Sequence, residues 1–373
     1  MGMLDPQALA QKVTIVMAPR ERHYAVIPSL LSLFATVSEQ IRVIVVQGDL
    51  PEDLAQQLHD LSRLRMFELI APAYPLYPQE ARNLGIAKCE TEYVLITDND
   101  MEYEAGWLEA LVANADIHQA DLVAPLIFIG PPRTKIIHHA GGRITTSIAA
   151  DGTRRAEEDH QLENRNIDDV NPEDLGHYNE VVEFHCFLTR RKFLSRLGPL
   201  DERLITREQI DYALRARMLG ATVTFEATAR VTYMAKRQFT NLDLAYLSFR
   251  WNDTQALAAM GVVEDNWGIS IDKAALMNNW IRAHRVRAYR TRYTIMAKSM
   301  PTNEFFHRFM APQEHEALAR AARLREGLPP PAIAERPGPA DVEATLRSFL
   351  PANAWAGQAA GHGNHSPSLQ ASQ

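Results

Sequence analysis

The 373-residue chain is predicted to be an α/β protein with a mostly parallel central sheet, helices on both faces and a helical C-terminal extension. Two observations support this prediction. In the first third, short apolar runs alternate with stretches whose apolar residues recur at helical spacing, as they do in βαβ units. Polar residues directly follow two of these runs, at the edge where open α/β sheets bind ligands.

The first predicted strand covers residues 13–18, an apolar run that is closed by Pro19. A run that is apolar at almost every position is typical of a parallel strand buried on both faces. The elements that follow alternate in type: a helix near 27–34, a strand at 41–46, a helix at 52–65, a strand at 67–70, a helix at 78–88, a strand at 93–97, a helix near 107–112 and a strand at 122–124.

The segment from Ile127 to Asn179 loses this periodicity, and we expect a long irregular segment with a functional role. Regular elements then return: a strand at 181–189, a helix at 206–220 and strands at 223–225 and 230–233. Thr206 and Gln209 stand three residues apart where the helix begins, a spacing that predicts a capping box.

Beyond residue 243 the pattern is helical. Five arginines follow one another closely in this part: Arg282, Arg285, Arg287, Arg290 and Arg292. They fit either a solvated helix face or a surface that grips anionic lipid or a charged acceptor. The stretch 326–373 is rich in Ala, Gly, Pro and Ser, and we predict a disordered tail because it has little apolar surface to bury.

Composition and charge exclude several classes of protein. The net charge of −7 argues against nucleic acid as a partner, since phosphate contacts need a basic surface. Cys89 and Cys186 give neither a disulfide framework nor metal-ligand spacing. No apolar run approaches the ~20 residues of a membrane span, and the first 12 residues lack the apolar core of a signal peptide. We therefore expect a cytoplasmic protein.

The sequence Asp98-Asn99-Asp100 follows the predicted strand at 93–97. Carboxylates at this edge suit Mg²⁺ or Mn²⁺, which proteins hold with one or two carboxylates plus substrate phosphates. An Asp-Asn turn that simply ends the strand is the alternative, since both residues favour turns.

The turn after the first strand reads Pro19-Arg20-Glu21-Arg22 and contains no glycine-rich dinucleotide motif. Its arginines suit a phosphate or a base edge, or they form a solvated face. In the helix at 206–220, Glu208, Asp211 and Arg215 recur at helical spacing, and we expect them to share one face. A carboxylate there can act as a general base, with Glu208 the first choice and Asp211 the reserve. The alternative for Glu208 is a favourable interaction with the helix dipole.

Several segments occur in an order that resembles family 2 glycosyltransferases of the GT-A fold, over residues 12–235. The segments are the arginine turn at 19–22, Ala81-Arg82-Asn83-Leu84-Gly85, Asp98-Asn99-Asp100, Arg190-Arg191, Gly198-Pro199-Leu200-Asp201-Glu202 and 206–211. The segment 137–142 also resembles the acceptor-side loop of some members.

The resemblance implies an inverting transfer of a sugar from a nucleotide-sugar, most often UDP-linked, to an acceptor hydroxyl, with Mn²⁺ or Mg²⁺ bound. The residues it implies for the nucleotide-sugar are Pro19, Arg20, Arg22, Gln47, Arg82, Asp98 and Asn99. Asp100 and Asp98 are implied as metal ligands, and His139, Gly141 and His185 as acceptor-side residues. The acceptor is expected to be a carbohydrate or a lipid-linked molecule, and peripheral membrane contact is expected through the arginine-rich helix at 282–292.

The same resemblance divides the chain into a GT-A domain at 1–235, a helical extension at 236–325 and the tail. Within the domain, 12–126 is the nucleotide-sugar half and 127–235 the acceptor half. Gln209 stands where members usually have an acid, and Tyr233-Met234 where many have a metal-binding histidine. These departures keep two alternatives open: a GT-A scaffold that has lost catalysis, and a nucleotidyltransferase.

Overall fold

The computed structural model describes residues 6–131, 133–176, 179–235, 239–292 and 300–328. The strands are β1 Val13–Ala18, β2 Arg42–Val46, β3 Glu68–Ile70, β4 Tyr93–Asp98, β5 Met101–Tyr103, β6 Leu122–Ile129, β7 Ile137–His139, β8 Gly142–Ile148, β9 Arg154–His160, β10 Cys186–Arg190 and β11 Val223–Tyr233. The helices of the first 235 residues are α1 Pro6–Lys12, α2 Val26–Thr36, α3 Glu52–Arg65, α4 Pro78–Ile86, α5 Trp107–His118, α6 Arg191–Leu197 and α7 Glu208–Met218.

The central sheet is mixed and has the strand order β3-β2-β1-β4-β10-β6-β11-β5, with β7 beside β6. Strands β3, β2, β1 and β4 are parallel to one another, as are β6 and β11. Strand β10 enters between β4 and β6 and runs antiparallel to both. The predicted parallel arrangement therefore holds for β3, β2, β1 and β4 and for the pair β6 and β11, whereas β10, β5 and β7 run antiparallel to their neighbours.

Helices cover both faces of the sheet, as predicted. Because side chains alternate along a strand, Ile15 and Val45 pack on one face against α2, α3 and α5, while Val16 and Ile44 pack on the other against α4, α6 and α7. Every residue of β1 and β4 is buried, which explains why these strands have nearly continuous apolar sequences.

The prediction of an irregular segment from Ile127 to Asn179 is wrong for much of its length. Strand β6 continues to Ile129, β7 follows it, and β8 and β9 form an antiparallel hairpin outside the main sheet. Strand β9 was not predicted, because its sequence, Arg-Arg-Ala-Glu-Glu-Asp-His, is rich in residues that are uncommon in strands. Its side chains nevertheless alternate between exposed and half-buried positions.

The predicted capping box at the start of α7 is also wrong. Arg207 occupies the N-cap position with a left-handed backbone, φ 61°, and no side chain caps the helix there. Gln209 instead donates from Nε2 to Oε2 of Glu158 on β9, at 3.0 Å. The predicted strands at 223–225 and 230–233 form the single strand β11, with an irregularity between Glu226 and Arg230.

The helical extension packs onto the sheet domain. It comprises α8 Asn241–Arg250, α9 Asp253–Trp267, α10 Lys273–Leu276, α11 Arg282–Arg292, α12 Thr302–Phe305 and α13 Ala311–Arg325, with π-helical turns at Met277–Ile281 and Phe306–Met310. Its apolar residues share a core with Leu204 and Ile205, which precede α7. Within the described residues, none of the helices has both the length and the apolar character needed to cross a membrane. The predicted tail lies almost wholly outside the described residues.

Candidate functional site

A cavity of about 1130 Å³ lies beside the carboxyl ends of β1 and β4. Its wall combines the arginine turn after β1, strand β9, the segment before β10, the start of α7 and helices of the extension. Open α/β sheets bind ligands at this end of their strands. The cavity is therefore the candidate active site.

The arginine turn lies over Asp98, the last residue of β4, and over Asp100 just after it. Nη1 of Arg20 is 3.1 Å from Oδ2 of Asp98, and the backbone N–H of Arg20 donates to Oδ1 of Asn99 at 3.0 Å. Nη1 of Arg22 donates to Oδ2 of Asp100 at 3.0 Å and to the hydroxyl of Tyr233 at 2.9 Å. Arg20 and Arg22 also line the cavity, so they can meet an anionic ligand.

Asp98 is fully buried and surrounded by positive or polar groups. Nη2 of Arg82 is 2.7 Å from its Oδ1, and Nδ1 of His185 is 3.2 Å from its Oδ2. Burial opposes the charge, but Arg82, His185 and Arg20 outweigh it and lower the pKa of Asp98 below its ordinary value. This carboxylate therefore stays ionised in the folded protein.

Asp100 is equally buried but has fewer partners. Its Oδ2 pairs with Arg22, and its Oδ1 has no hydrogen-bond partner in the described part of the chain. Burial raises the pKa of Asp100 from 3.8 to about 6, against the opposing effect of Arg22.

The residues present can hold a divalent cation. Asp98, Asp100 and His185 each offer one ligand atom, and these atoms lie within 4.8 Å of one another. The unpaired Oδ1 of Asp100 also fits a metal ligand. Arg20 and Arg22 pair with the same two carboxylates, so a cation must share them or displace the arginines.

Most of the predicted nucleotide-sugar residues lie beneath the cavity wall rather than on it. Arg20 and Arg22 line the cavity, whereas the others are buried and do not: Pro19, Gln47, Arg82, Asp98 and Asn99. Both polar atoms of the Gln47 side chain are buried without a hydrogen-bond partner among the described residues. Five of these seven residues thus lie behind the cavity wall, and two line the cavity itself.

The two predicted catalytic acids face different cavities. Glu208 lines the main cavity, with Oε1 3.6 Å from Nη2 of Arg250. Asp211 lines a separate, open depression and accepts a hydrogen bond from Nε1 of Trp267 at 2.9 Å. The two acids therefore stand three residues apart on α7 but do not share a cavity. Asp211 also lies 3.6 Å from Arg215.

The predicted acceptor-side residues need one correction. His185 lines the cavity, but His139 is fully buried and does not, and neither does Gly141. The neighbouring His138 lines it instead. Successive side chains of a strand point to opposite faces, so a shift of one residue in β7 exchanges the two histidines.

A cluster of ionisable side chains on the cavity wall was not predicted. It comprises Glu158 and His160 on β9 and Glu183 before β10. Nε2 of His160 is 3.0 Å from Oε1 of Glu158 and 3.6 Å from Oε1 of Glu183. Burial raises the pKa of Glu183 from 4.5 to about 7. Burial opposes the charge of His160, but Glu158 and Glu183 raise its pKa to about 9. The alternation of Glu158 and His160 along β9 was the available signal.

Residues of the helical extension contact Glu21 in the arginine turn. Glu21 lies between Arg20 and Arg22 and is 1% exposed. Its Oε1 accepts a hydrogen bond from Nε1 of Trp251 at 2.7 Å, and its Oε2 is 3.4 Å from Nε2 of His284. Through these contacts, the extension helps set the position of the turn.

The arginine-rich helix is not a free basic face. Nη2 of Arg282 and Nη2 of Arg285 each lie 2.5 Å from a carboxylate oxygen of Asp253, and Arg285 also pairs with Glu314. Arg287 is exposed, and the side chains of Arg290 and Arg292 lie outside the described part of the structure. The structure thus gives the predicted membrane contact no support.

Residues 20–198 match the family described as Glycosyl transferase family 2. Over 162 residues the chain is 25% identical to the pre-mycofactocin glycosyltransferase of two Mycobacterium tuberculosis strains. The alignment covers 43% of this chain, which spans only 31% of the length of those relatives.

Solved structures are similar to the chain at low identity. One is GalNAc-T7, crystallised with UDP, GalNAc and Mn²⁺, at 13% identity and a TM-score of 0.47, covering 86% of this chain and 59% of that one. Another is residues 1–349 of S. aureus TarS with UDP-GlcNAc, at 13% identity and a TM-score of 0.43, covering 85% and 92%. On the family match and the motifs that it contains, residues 20–198, just under half of the chain, belong to glycosyltransferase family 2.

Proposed function

We propose that the chain transfers a sugar from a nucleotide-sugar to a hydroxyl of a carbohydrate or lipid-linked acceptor. The proposed nucleotide of the donor is UDP. One observation carries the proposal: two arginines and a pair of buried acids meet at the edge of a large cavity, within the part of the chain that matches the family. Inverting chemistry is part of the proposal. A cytoplasmic location stays a prediction from the sequence.

The donor diphosphate is proposed to lie against Arg20 and Arg22. A guanidinium presents planar donors that match phosphate oxygens, and both side chains reach the cavity. Gln47 and Arg82, buried beneath the turn, support the nucleotide half of the site at 12–126. The acceptor half is then 127–235, together with the parts of the extension that line the cavity.

Asp98, Asp100 and His185 are the residues proposed to hold Mn²⁺ or Mg²⁺. A cation bound there supplies Lewis-acid stabilisation of the leaving diphosphate. The chain's own contribution is positional, since Arg82 fixes Asp98 and Arg22 fixes Asp100 beside the arginine turn.

Glu208 is the proposed general base, because it is the predicted acid that reaches the cavity. It would accept the proton of the attacking acceptor hydroxyl. Arg250, 3.6 Å away, keeps the carboxylate oriented toward the cavity wall. Trp280 also lines the cavity and is partly exposed, which suits stacking against a sugar ring.

The test is a thermal-shift screen of UDP, GDP, CDP and their sugar conjugates, with Mn²⁺ and with chelator. Calorimetry and mass spectrometry of reaction products follow on the hits. We expect one nucleoside diphosphate to stabilise the protein, and more so with Mn²⁺. If none of these compounds binds at millimolar concentration, the transferase proposal is wrong. Binding without any transfer or donor hydrolysis would favour the catalytically lost scaffold, an alternative suggested by the arginines that pair with both acids.

A further inference from the structure

We propose that a transition-metal ion binds between His138, Glu183 and His185, at a site separate from the Asp98–Asp100 pair. These three side chains each offer one ligand atom, and the atoms lie within 4.8 Å of one another. All three residues line the main cavity. The proposal does not depend on sugar transfer, because it concerns metal binding by the free protein.

The donor set indicates the class of metal. Two imidazoles and one carboxylate, with open positions toward a cavity, suit Zn²⁺, Co²⁺, Mn²⁺ or Fe²⁺. Mg²⁺ prefers oxygen ligands and would be disfavoured here. The rings of His138 and His185 have centroids 5.0 Å apart at 70°, so small side-chain movements bring both within reach of one ion.

Each histidine has a carboxylate at its Nδ1 atom. Nδ1 of His138 is 3.7 Å from Oε1 of Glu163, and Nδ1 of His185 is 3.2 Å from Oδ2 of Asp98, and neither contact has the geometry of a hydrogen bond. Metal-binding histidines commonly have such a carboxylate partner, which fixes the ring and leaves the other nitrogen for the metal. Nε2 of each ring is then the proposed ligand atom.

Charge also separates this site from the aspartate pair. Asp98 and Asp100 are already paired with three arginines, namely Arg20, Arg22 and Arg82. Glu183 has no arginine at ion-pair distance among the described residues, and its nearest charged partner is His160, 3.6 Å away. The carboxylate of Glu183 is thus the more available one in the protein without ligand.

His185 belongs to both groups of ligands, and we assign a different ring nitrogen to each group. Its Nδ1 lies toward Asp98, while the proposed site uses Nε2. Replacing His185 therefore cannot distinguish the two sites, whereas His138 belongs to the new site and Asp100 to the aspartate pair.

The test uses tag-free, full-length protein stripped with chelator, with no nucleotide present. Co²⁺ is titrated and its visible absorption recorded, and Zn²⁺ binding is measured by calorimetry. The variants are His138→Ala, His138→Gln and Glu163→Gln, with Asp100→Asn as the comparison and His59→Ala as an exposed-histidine control. Unfolding of each metal-free variant is measured to confirm that it folds.

We expect Glu163→Gln to weaken binding by about 10–100-fold, the usual effect of removing such an orienting partner. Both His138 variants should weaken it further and alter the Co²⁺ spectrum. Asp100→Asn and His59→Ala should leave affinity within about two-fold of the starting protein. The proposal is overturned if the His138 variants bind as tightly as the starting protein, if Asp100→Asn abolishes binding, or if the starting protein binds neither metal. The donor screen is unaffected by any of these results, so the two proposals fail independently.

Discussion

Asp98 and Asp100 stand two residues apart, yet their surroundings shift their pKa values in opposite directions. Arg82, His185 and Arg20 lower the pKa of Asp98 against the effect of burial, whereas burial raises that of Asp100 to about 6. The charge of Asp98 therefore contributes stability above its unfolded pKa of about 3.8, and this contribution is lost as the pH falls through the lower folded value. For Asp100 the effect is opposite: as the pH rises, the folded state keeps the proton of Asp100 to a higher pH than the unfolded state does.

We predict that Asp98→Asn lowers the free energy of unfolding at pH 7 by about 3–5 kcal/mol, since it leaves buried Arg82 without its carboxylate. Asp100→Asn should cost only about 1 kcal/mol, because burial disfavours the charge of Asp100 and the neutral Asn side chain removes that charge. The measurement is urea unfolding. Equal losses for the two variants would contradict the pairing described for Asp98.

The raised pKa of Asp100 also predicts a dependence on pH. The unfolded state releases this proton near pH 3.8 and the folded state releases it near pH 6. The free energy of unfolding therefore falls as the pH rises from 3.8 to 6, by at most about 1.4 kcal/mol per pH unit. Asp100→Asn should remove this part of the slope. Parallel stability curves for the two proteins from pH 4 to 6 would show that Asp100 is not the group responsible.

We predict that Glu208→Gln slows sugar transfer, or hydrolysis of the donor, by ~10²–10⁴-fold, the usual contribution of general acid–base catalysis. Donor affinity should change little, because Gln keeps the shape and loses only the ability to accept a proton. Asp211→Asn is the control, since Asp211 faces away from the cavity. A larger loss in Asp211→Asn than in Glu208→Gln would reverse the assignment.

At the scale of elements, the extension and the arginine turn depend on each other. Trp251, just after α8, donates its indole N–H to buried Glu21, which separates Arg20 from Arg22. Trp267, at the end of α9, makes an equivalent bond to Asp211, away from the main cavity. Each tryptophan thus donates its indole N–H to a buried carboxylate, Trp251 beside the main cavity and Trp267 away from it.

We predict that Trp251→Phe destabilises the protein by about 1–3 kcal/mol, because it leaves a buried carboxylate oxygen without its donor. It should also weaken UDP binding, since the turn loses part of its support. Trp267→Phe should affect stability alone. Calorimetry with UDP on the two variants gives the comparison, and unchanged UDP affinity in Trp251→Phe would mean that the extension does not position the turn.

At the scale of the whole molecule, the sequence predicted the sheet better than the cavity. The helix at 52–65 was predicted with its observed bounds and β1 likewise, because continuous apolar runs and helical periodicity are local signals. The direction of β10 was not predictable, since antiparallel entry depends on a long connection. Strand β9 was missed because its residues are charged and its burial comes from the tertiary fold.

The residues of the candidate site that belong to a sequence motif could be predicted. Arg20, Arg22, Glu208 and His185 were chosen from the sequence, and the structure places all four on the cavity. The burial of Gln47 and Arg82, the exchange of His139 for His138 and the cluster around Glu183 depend on which face of an element meets the cavity. A single sequence fixes that choice poorly, because one residue of register reverses it.

The most direct test of the proposed donor site is calorimetry with UDP and Mn²⁺ on Arg20→Gln. The matched control is Arg287→Gln, which changes an exposed arginine of α11 outside the cavity. Loss of a charge-assisted contact worth about 1.5–3 kcal/mol predicts roughly 10–100-fold weaker UDP binding in Arg20→Gln and no change in the control. If both variants bind UDP as tightly as the starting protein, the diphosphate does not lie against the arginine turn, and the account of the site is wrong.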